Sequence, residues 1–239
     1  MTVSLTAFEG DLDGLDTTGE VKSFVGPERL YESLTDAHIV IFAASMPRKP
    51  ENAEEIAAIT GAVSAVCPDA LLVFATRPID FVVPMAAEFL KKADNYDPRR
   101  LFGVTTLHSM RVRNIIAKIL HVNPARVNVP VIGGFSVDTA MPVYSQCFPE
   151  LREEMTDVDS LVEKINKSNY DGLLPKKIAV LTTPYAASRF IDSLLRGLNG
   201  EPDVVECSFV GYEAPLLPFF SNRVVLGPEG IQTNLGLPP

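Results

Sequence analysis

The chain has 239 residues, 46% of them hydrophobic and 21% charged, with a formal net charge of −9. That length suits one large domain or two small ones, and the composition is that of an ordinary globular protein. The acidic balance argues against a phosphate-binding surface as the main business, so no direct nucleic-acid partner is expected.

Residues Val3 to Phe8 alternate apolar and polar, as a short strand does. Gly10 to Gly19 is acidic and turn-rich, and Val21 to Phe24 is a second short strand. GPERLYESL after it suits one or two helical turns. His38 to Ala44 is a continuous apolar run, the pattern of a parallel strand buried on both faces. After the loop SMPRKP, Glu51 to Val66 reads as a helix with Ile56, Ile59 and Val63 on one face. Leu71 to Ala75 is another buried strand, Pro84 to Ala93 a helix opened by its proline, and Leu101 to Val104 a third buried strand. His108 to Leu120 is helical and Val127 to Ile132 extended, with two glycines behind it. Thr156 to Lys167 is an amphipathic helix, Pro184 to Leu198 a long helix bounded by Gly200, and Val204 to Val210 with Val224 to Leu226 reads as hairpin strands. Strands alternating with helices predict an α/β parallel sheet.

Cys67, Cys147 and Cys207 are scattered, with no C-x-x-C or His-rich spacing, so free buried thiols are expected and no metal site. No apolar run approaches the ~20 residues needed to span a bilayer. The opening MTVSLTAFEGDLDG has early acids and no early arginine, a poor presequence. Arg99, Arg100, Arg111 and Arg113 are close in sequence and read as a solvated face that includes substrate-binding arginines.

Three segments carry a family resemblance: CPDALLVFATRP, AAEFLKKADNYDPRRLFGVTTL and VNVPVIGG. They resemble malate dehydrogenases of the mitochondrial and bacterial branch, which read L-F-G-V-T-T-L-D-x-x-R and V-P-V-x-G-G-H. The resemblance implies a Rossmann-like parallel sheet, here incomplete, followed by an α+β lactate/malate dehydrogenase-type C-terminal domain. The implied boundaries are residues 1–104 for a shortened dinucleotide-binding domain and 105–239 for a substrate-type domain lacking its last helix.

By the same resemblance, the orienting Asp falls on His108 and the catalytic His on Phe135. Oxidising a secondary alcohol needs a base with a pKa near the working pH, and a phenyl ring cannot hold a proton. Arg48 and Arg111 match two substrate arginines and could still grip a carboxylate. Ser45 stands where the family has a glycine, and Arg77 where it has an asparagine that contacts substrate and cofactor. No G-x-G-x-x-G occurs, and the mobile lid after Arg48 is shortened. These departures together predict a catalytically silent structural or scaffold subunit with no cofactor. The first alternative is a working NAD-dependent malate dehydrogenase with His108 recruited as base. The second is a non-catalytic dicarboxylate sensor. A sheet without its usual first strand would bare an edge, so a protein partner is expected there, either a multi-subunit complex or a second copy. The family branch points to the mitochondrion, with the cytoplasm as the other compartment.

Overall fold

The computed structural model describes residues 18–43, 51–136, 139–151, 181–212 and 217–236, together with positions 10 and 14. A turn of 3-10 helix at Pro27–Arg29 leads into α1 (Leu30–Leu34), the one or two turns expected from GPERLYESL. Three parallel strands follow, β1 (Ile39–Phe42), β2 (Leu71–Phe74) and β3 (Leu101–Val104), in register Val40 to Leu72 and Val73 to Phe102. Helix α2 (Glu51–Val66) joins β1 to β2, and α3 (Ile79–Lys92) joins β2 to β3. Helix α4 (Thr106–Leu120) leaves β3 and is followed by the short antiparallel pair β4 (Val131–Gly133) and β5 (Ala140–Pro142). Helix α5 (Thr182–Leu198) precedes β6 (Val204–Gly211), β7 (Phe219–Gly227) and β8 (Gly230–Asn234).

Among the described residues these strands form one mixed sheet. β6 runs antiparallel to β3 through Gly103–Phe209 and Val104–Ser208, so the sheet continues across residues 104 and 105. Gly103 is required at this crossing, because a Cβ there would collide with Ile79 Cγ2 and crowd the Val83 and Phe209 side chains. The architecture is the expected α/β one, a Rossmann-like parallel sheet followed by an antiparallel α+β part.

Period-two alternation splits the parallel strands between two cores. Leu72, Phe74 and Leu101 face α2 and α3, packing on Ile56, Val63, Ile79, Val83 and Leu90. Leu71, Val73, Phe102 and Val104 face the other way, onto Phe190 and Leu194 of α5 and the apolar side of β6 to β8. A third cluster joins Val112 and Ile116 of α4 to Val127, Val129 and Val131.

Several expected elements differ. Helix α3 starts at Ile79, and Pro84 lies inside it. The stripe Ile79, Val82, Val83, Ala86, Ala87 and Leu90 is buried as a unit, and that packing outweighs the one backbone bond a proline forfeits. Val21 to Phe24 is irregular backbone. Val127 to Pro130 makes only an isolated bridge, Asn128 with Phe148, so the ladder starts at Val131. β7 begins at Phe219, five residues before the expected strand. β1 is not buried on both faces, since among the described strands it pairs only with β2 and Ile41 is 41% exposed. Val3 to Phe8, the loop from Ser45 to Pro50 and the helix at Thr156 to Lys167 lie outside the described residues.

Candidate active site

In an open α/β sheet, ligands bind beyond the carboxyl ends of the parallel strands. Here β2 ends at Phe74 and hands over to Arg77 and Pro78 at the mouth of α3, and β3 ends at Val104, one residue before α4. His108 and Arg111 are one helical turn apart at the start of α4, on one face. Phe135 arrives from the far side, just after β4 and its two glycines, and packs against the core under β2.

These residues meet. The rings of His108 and Phe135 lie edge to face, with centroids 4.7 Å apart and an interplanar angle of 82°. The Arg77 guanidinium sits over the Phe135 ring, 5.5 Å from its centroid. His108 is only 6% exposed, yet among the described residues neither ring nitrogen has a hydrogen-bond partner of good geometry, the Phe135 main chain making only a marginal contact. Thr106 Oγ1, two residues earlier and so on a different face of the helix, is also buried and, among the described residues, without a hydrogen-bond partner. Burial first, then the cations Arg111 and Arg77, push the His108 pKa down to about 4, and the nearby Phe135 main chain opposes this only weakly. The ring is therefore neutral at physiological pH, with a free lone pair. Buried polar atoms without partners are rare and mark a site where another group belongs. The residues that meet here fit the polar end of a small acid substrate: two arginines and an acceptor nitrogen.

The expected arginine face is two separate regions. Arg99 and Arg100 stand at the amino end of β3, in ion pairs with Asp97, Glu229 and Asp69. Arg111 and Arg113 are on α4. Ser45 and Arg48 lie outside the described residues, so Arg48 cannot be placed against Arg111.

Sequence reasoning missed a polar cavity of about 520 Å³ on the other side of α4, lined by Ser109, Arg113, Asn128, Arg189, Ser193 and Glu206. Its residues come from five separated segments, so no local motif announces it. Glu206 accepts a 2.7 Å hydrogen bond from Ser193 Oγ, and burial raises its pKa against that bond and the arginines around it. The three cysteines are free and buried. Among the described residues no acid, His or Cys cluster could hold a metal, and no helix is long and apolar enough to cross a membrane.

Residues 105–238 match the family model for the lactate/malate dehydrogenase alpha/beta C-terminal domain. The mitochondrial malate dehydrogenase of Felis catus is 36% identical over 239 residues, covering 95% of this chain and 71% of that protein. That of Citrullus lanatus is 40% identical over 245 residues, covering 96% and 70%. The chain belongs to the lactate/malate dehydrogenase family. Solved structures agree on the fold. The apo malate dehydrogenase of Picrophilus torridus superposes with a TM-score of 0.79 at 20% identity, covering 98% of this chain and 77% of that one. The lactate dehydrogenase of Eimeria maxima, solved with NADH and oxamate, gives 0.72 at 22% identity, covering 87% and 69%.

Membership corrects one expectation. A chain without any cofactor was expected from the absent glycine-rich turn. The relatives are dehydrogenases by name, and the Eimeria enzyme was solved with NADH, so the comparisons point to NAD rather than to none. The turn was a weak guide because it reports on the pyrophosphate only, whereas the carboxyl ends of β2 and β3 retain the polar groups described above.

Proposed function

We propose that this chain interconverts malate and oxaloacetate with NAD, using His108 as the proton acceptor and donor. The observation that supports it is the state of His108: buried, neutral, with no hydrogen-bond partner of good geometry among the described residues, and flanked by two arginines. A neutral imidazole is the form that can take the proton of a secondary alcohol. A substrate carboxylate beside Arg111 and Arg77 would offset the positive charge that now disfavours protonation, so binding would raise the His108 pKa toward the working range. The half-buried Phe135 ring keeps water from one side of the imidazole. NAD would lie across the carboxyl ends of β1, β2 and β3 and supply the hydride acceptor. The mitochondrion is the proposed compartment, since the relatives named above are mitochondrial enzymes, and the cytoplasm is the alternative.

A second reading keeps the family and gives up turnover: a silent subunit of a larger assembly or homo-oligomer, or a dicarboxylate sensor. Phe135 favours it, because that ring stands where the resemblance puts the base. The β1 edge with its exposed Ile41 favours a partner laid along it. Oxaloacetate-dependent oxidation of NADH, followed by absorbance, separates the readings. Turnover by the wild type that drops by about 100-fold or more in kcat in His108→Ala is the expected result. NADH quenching without turnover, in a protein that elutes well above its monomer mass, would replace the first reading with the second.

A further inference from the structure

We infer that Arg77 is a positioning residue: its guanidinium pins the Phe135 ring against His108, so that reaching the base requires breaking the Arg77–Phe135 stack. This rests on the reading of His108 as the base and adds the group that controls access to it.

A base must come within hydrogen-bond reach of the proton it takes. His108 is 6% exposed and both its ring nitrogens are buried, so a group beside it must move before a substrate hydroxyl arrives. The α4 side of the site is fixed: Ser109 and Val112, next along the helix, are buried, and Val112 belongs to the core it shares with Val129 and Val131. Phe135 meets the imidazole from the other side and is only half-buried, with one side of its ring on the core beneath β2. Its main chain is fixed as well. Gly133 has a φ of +100°, a Cβ on Gly134 would collide with Thr139 Oγ1, and the Gly134 N–H donates to the Thr139 carbonyl at 2.9 Å. The soft freedom left is rotation of the Phe135 side chain from one staggered well to another. Arg77 opposes that rotation. Its guanidinium stands over the Phe135 face, 5.5 Å from the centroid, while the His108 ring meets Phe135 at 82° and 4.7 Å. The backbone that carries Arg77 is held too, since Pro78 leads directly into α3 and Ile79 is buried. Phe135 is thus gripped between a cation and an imidazole, and a cation over a partly exposed ring shifts a two-state rotation by about 3-fold.

The test is modification of histidine by diethyl pyrocarbonate at pH 7, with the rate at each histidine read by peptide mass spectrometry. The His108 imidazole is neutral there, so its rate reports access rather than protonation. His38 and His121 are exposed and serve as references within the same chain, and thermal melting checks that each variant is folded. In the wild type His108 should react far more slowly than either reference. Phe135→Ala, or Phe135→Leu if the alanine variant does not fold, should speed the reaction at His108 by about 10-fold or more. Arg77→Met should speed it by about 3-fold, and Arg77→Lys, which keeps a cation over the ring, should restore most of the protection. In the double variant Arg77→Met should add nothing to Phe135→Ala, because no ring is left to pin. A His108 rate unaltered by Arg77→Met would mean that the ring needs no pin. Acceleration by Arg77→Met that persists in the Phe135→Ala background would mean that Arg77 shields His108 by itself. Either result overturns the assignment, and so does equal acceleration at all three histidines, which marks general loosening. Oxaloacetate-dependent oxidation of NADH, run on the same samples, keeps the two readings apart: a wild type without turnover sinks the reading of His108 as base, while the His108 modification rates decide the pin on their own.

Discussion

Strand β3 and the start of α4 are consecutive in the chain and opposite in character. Every side chain of Leu101 to Val104 is buried among apolar partners, and Phe102 meets Phe190 edge-on at 5.9 Å. Just past the strand the surroundings stay buried but the atoms become polar: among the described residues Thr106 Oγ1 and both His108 nitrogens are buried without a hydrogen-bond partner of good geometry. The first region is optimised for stability. The second carries a standing cost, because a desolvated polar atom without a partner loses its bonds to water and gains none. Such costs are often kept where a ligand relieves them, and here they coincide with the carboxyl ends of the parallel strands, although Arg100 Nε, Arg113 Nε and Tyr144 OH carry the same cost elsewhere.

Opposite responses to losing a polar or apolar side chain would sharpen this contrast. The largest effect is expected in the core. Phe102→Ala removes a ring that is fully buried between β2, β6 and α5, and should cost about 3–5 kcal/mol in chemical denaturation. A cost below about 1 kcal/mol would mean that this side of the sheet is loosely packed and that the contrast is overstated.

His108→Leu should move stability the other way. It exchanges two unpartnered nitrogens for methyl groups of similar bulk, and should stabilise the free protein by about 1–2 kcal/mol at pH 7 while abolishing turnover. The pH dependence gives an independent check. In the folded chain the His108 pKa is about 4, below the ordinary 6.5, so the unfolded chain takes up the proton first as pH falls. Stability should therefore decline from near pH 6.5 to near pH 4, by roughly 3 kcal/mol in all, and level off below. His108→Leu should flatten that part of the profile. A wild-type profile with no slope there would show that the imidazole finds a partner or water in solution.

Much of this could be read from the chain and some could not, for physical reasons. β2 and β3 were legible because strands buried on both faces are unbroken apolar runs. β1 has the same composition, yet Ile41 faces outward, because burial depends on neighbours that its own sequence does not encode. β5 and β8 were missed: Ala140–Pro142 is three residues long, and Gly230–Asn234 turns polar after Ile231. Pro84 misled because a local rule about prolines lost to a stripe of six buried apolar residues. At the site, His108, Phe135 and Arg77 were each singled out by the resemblance. That the Arg77 guanidinium lies on the Phe135 ring depends on tertiary structure, since the two come from the ends of different strands.

The smallest expected effect tests whether burial or the missing partner is what sets His108 apart. Ser193 and Glu206 are also polar and largely shielded, on the far side of α4, but they bond each other at 2.7 Å with Arg113 and Arg189 nearby. If burial alone were costly, removing the Ser193 hydroxyl should stabilise, as His108→Leu does. If partnering decides, Ser193→Ala should destabilise by about 1 kcal/mol, the net worth of one hydrogen bond to a charged or polar acceptor. It should also raise the Glu206 pKa further, since that bond favours the ionised carboxylate against a burial that already disfavours it. Opposite signs for Ser193→Ala and His108→Leu would show that pairing, rather than burial alone, decides whether a buried polar group stabilises this chain.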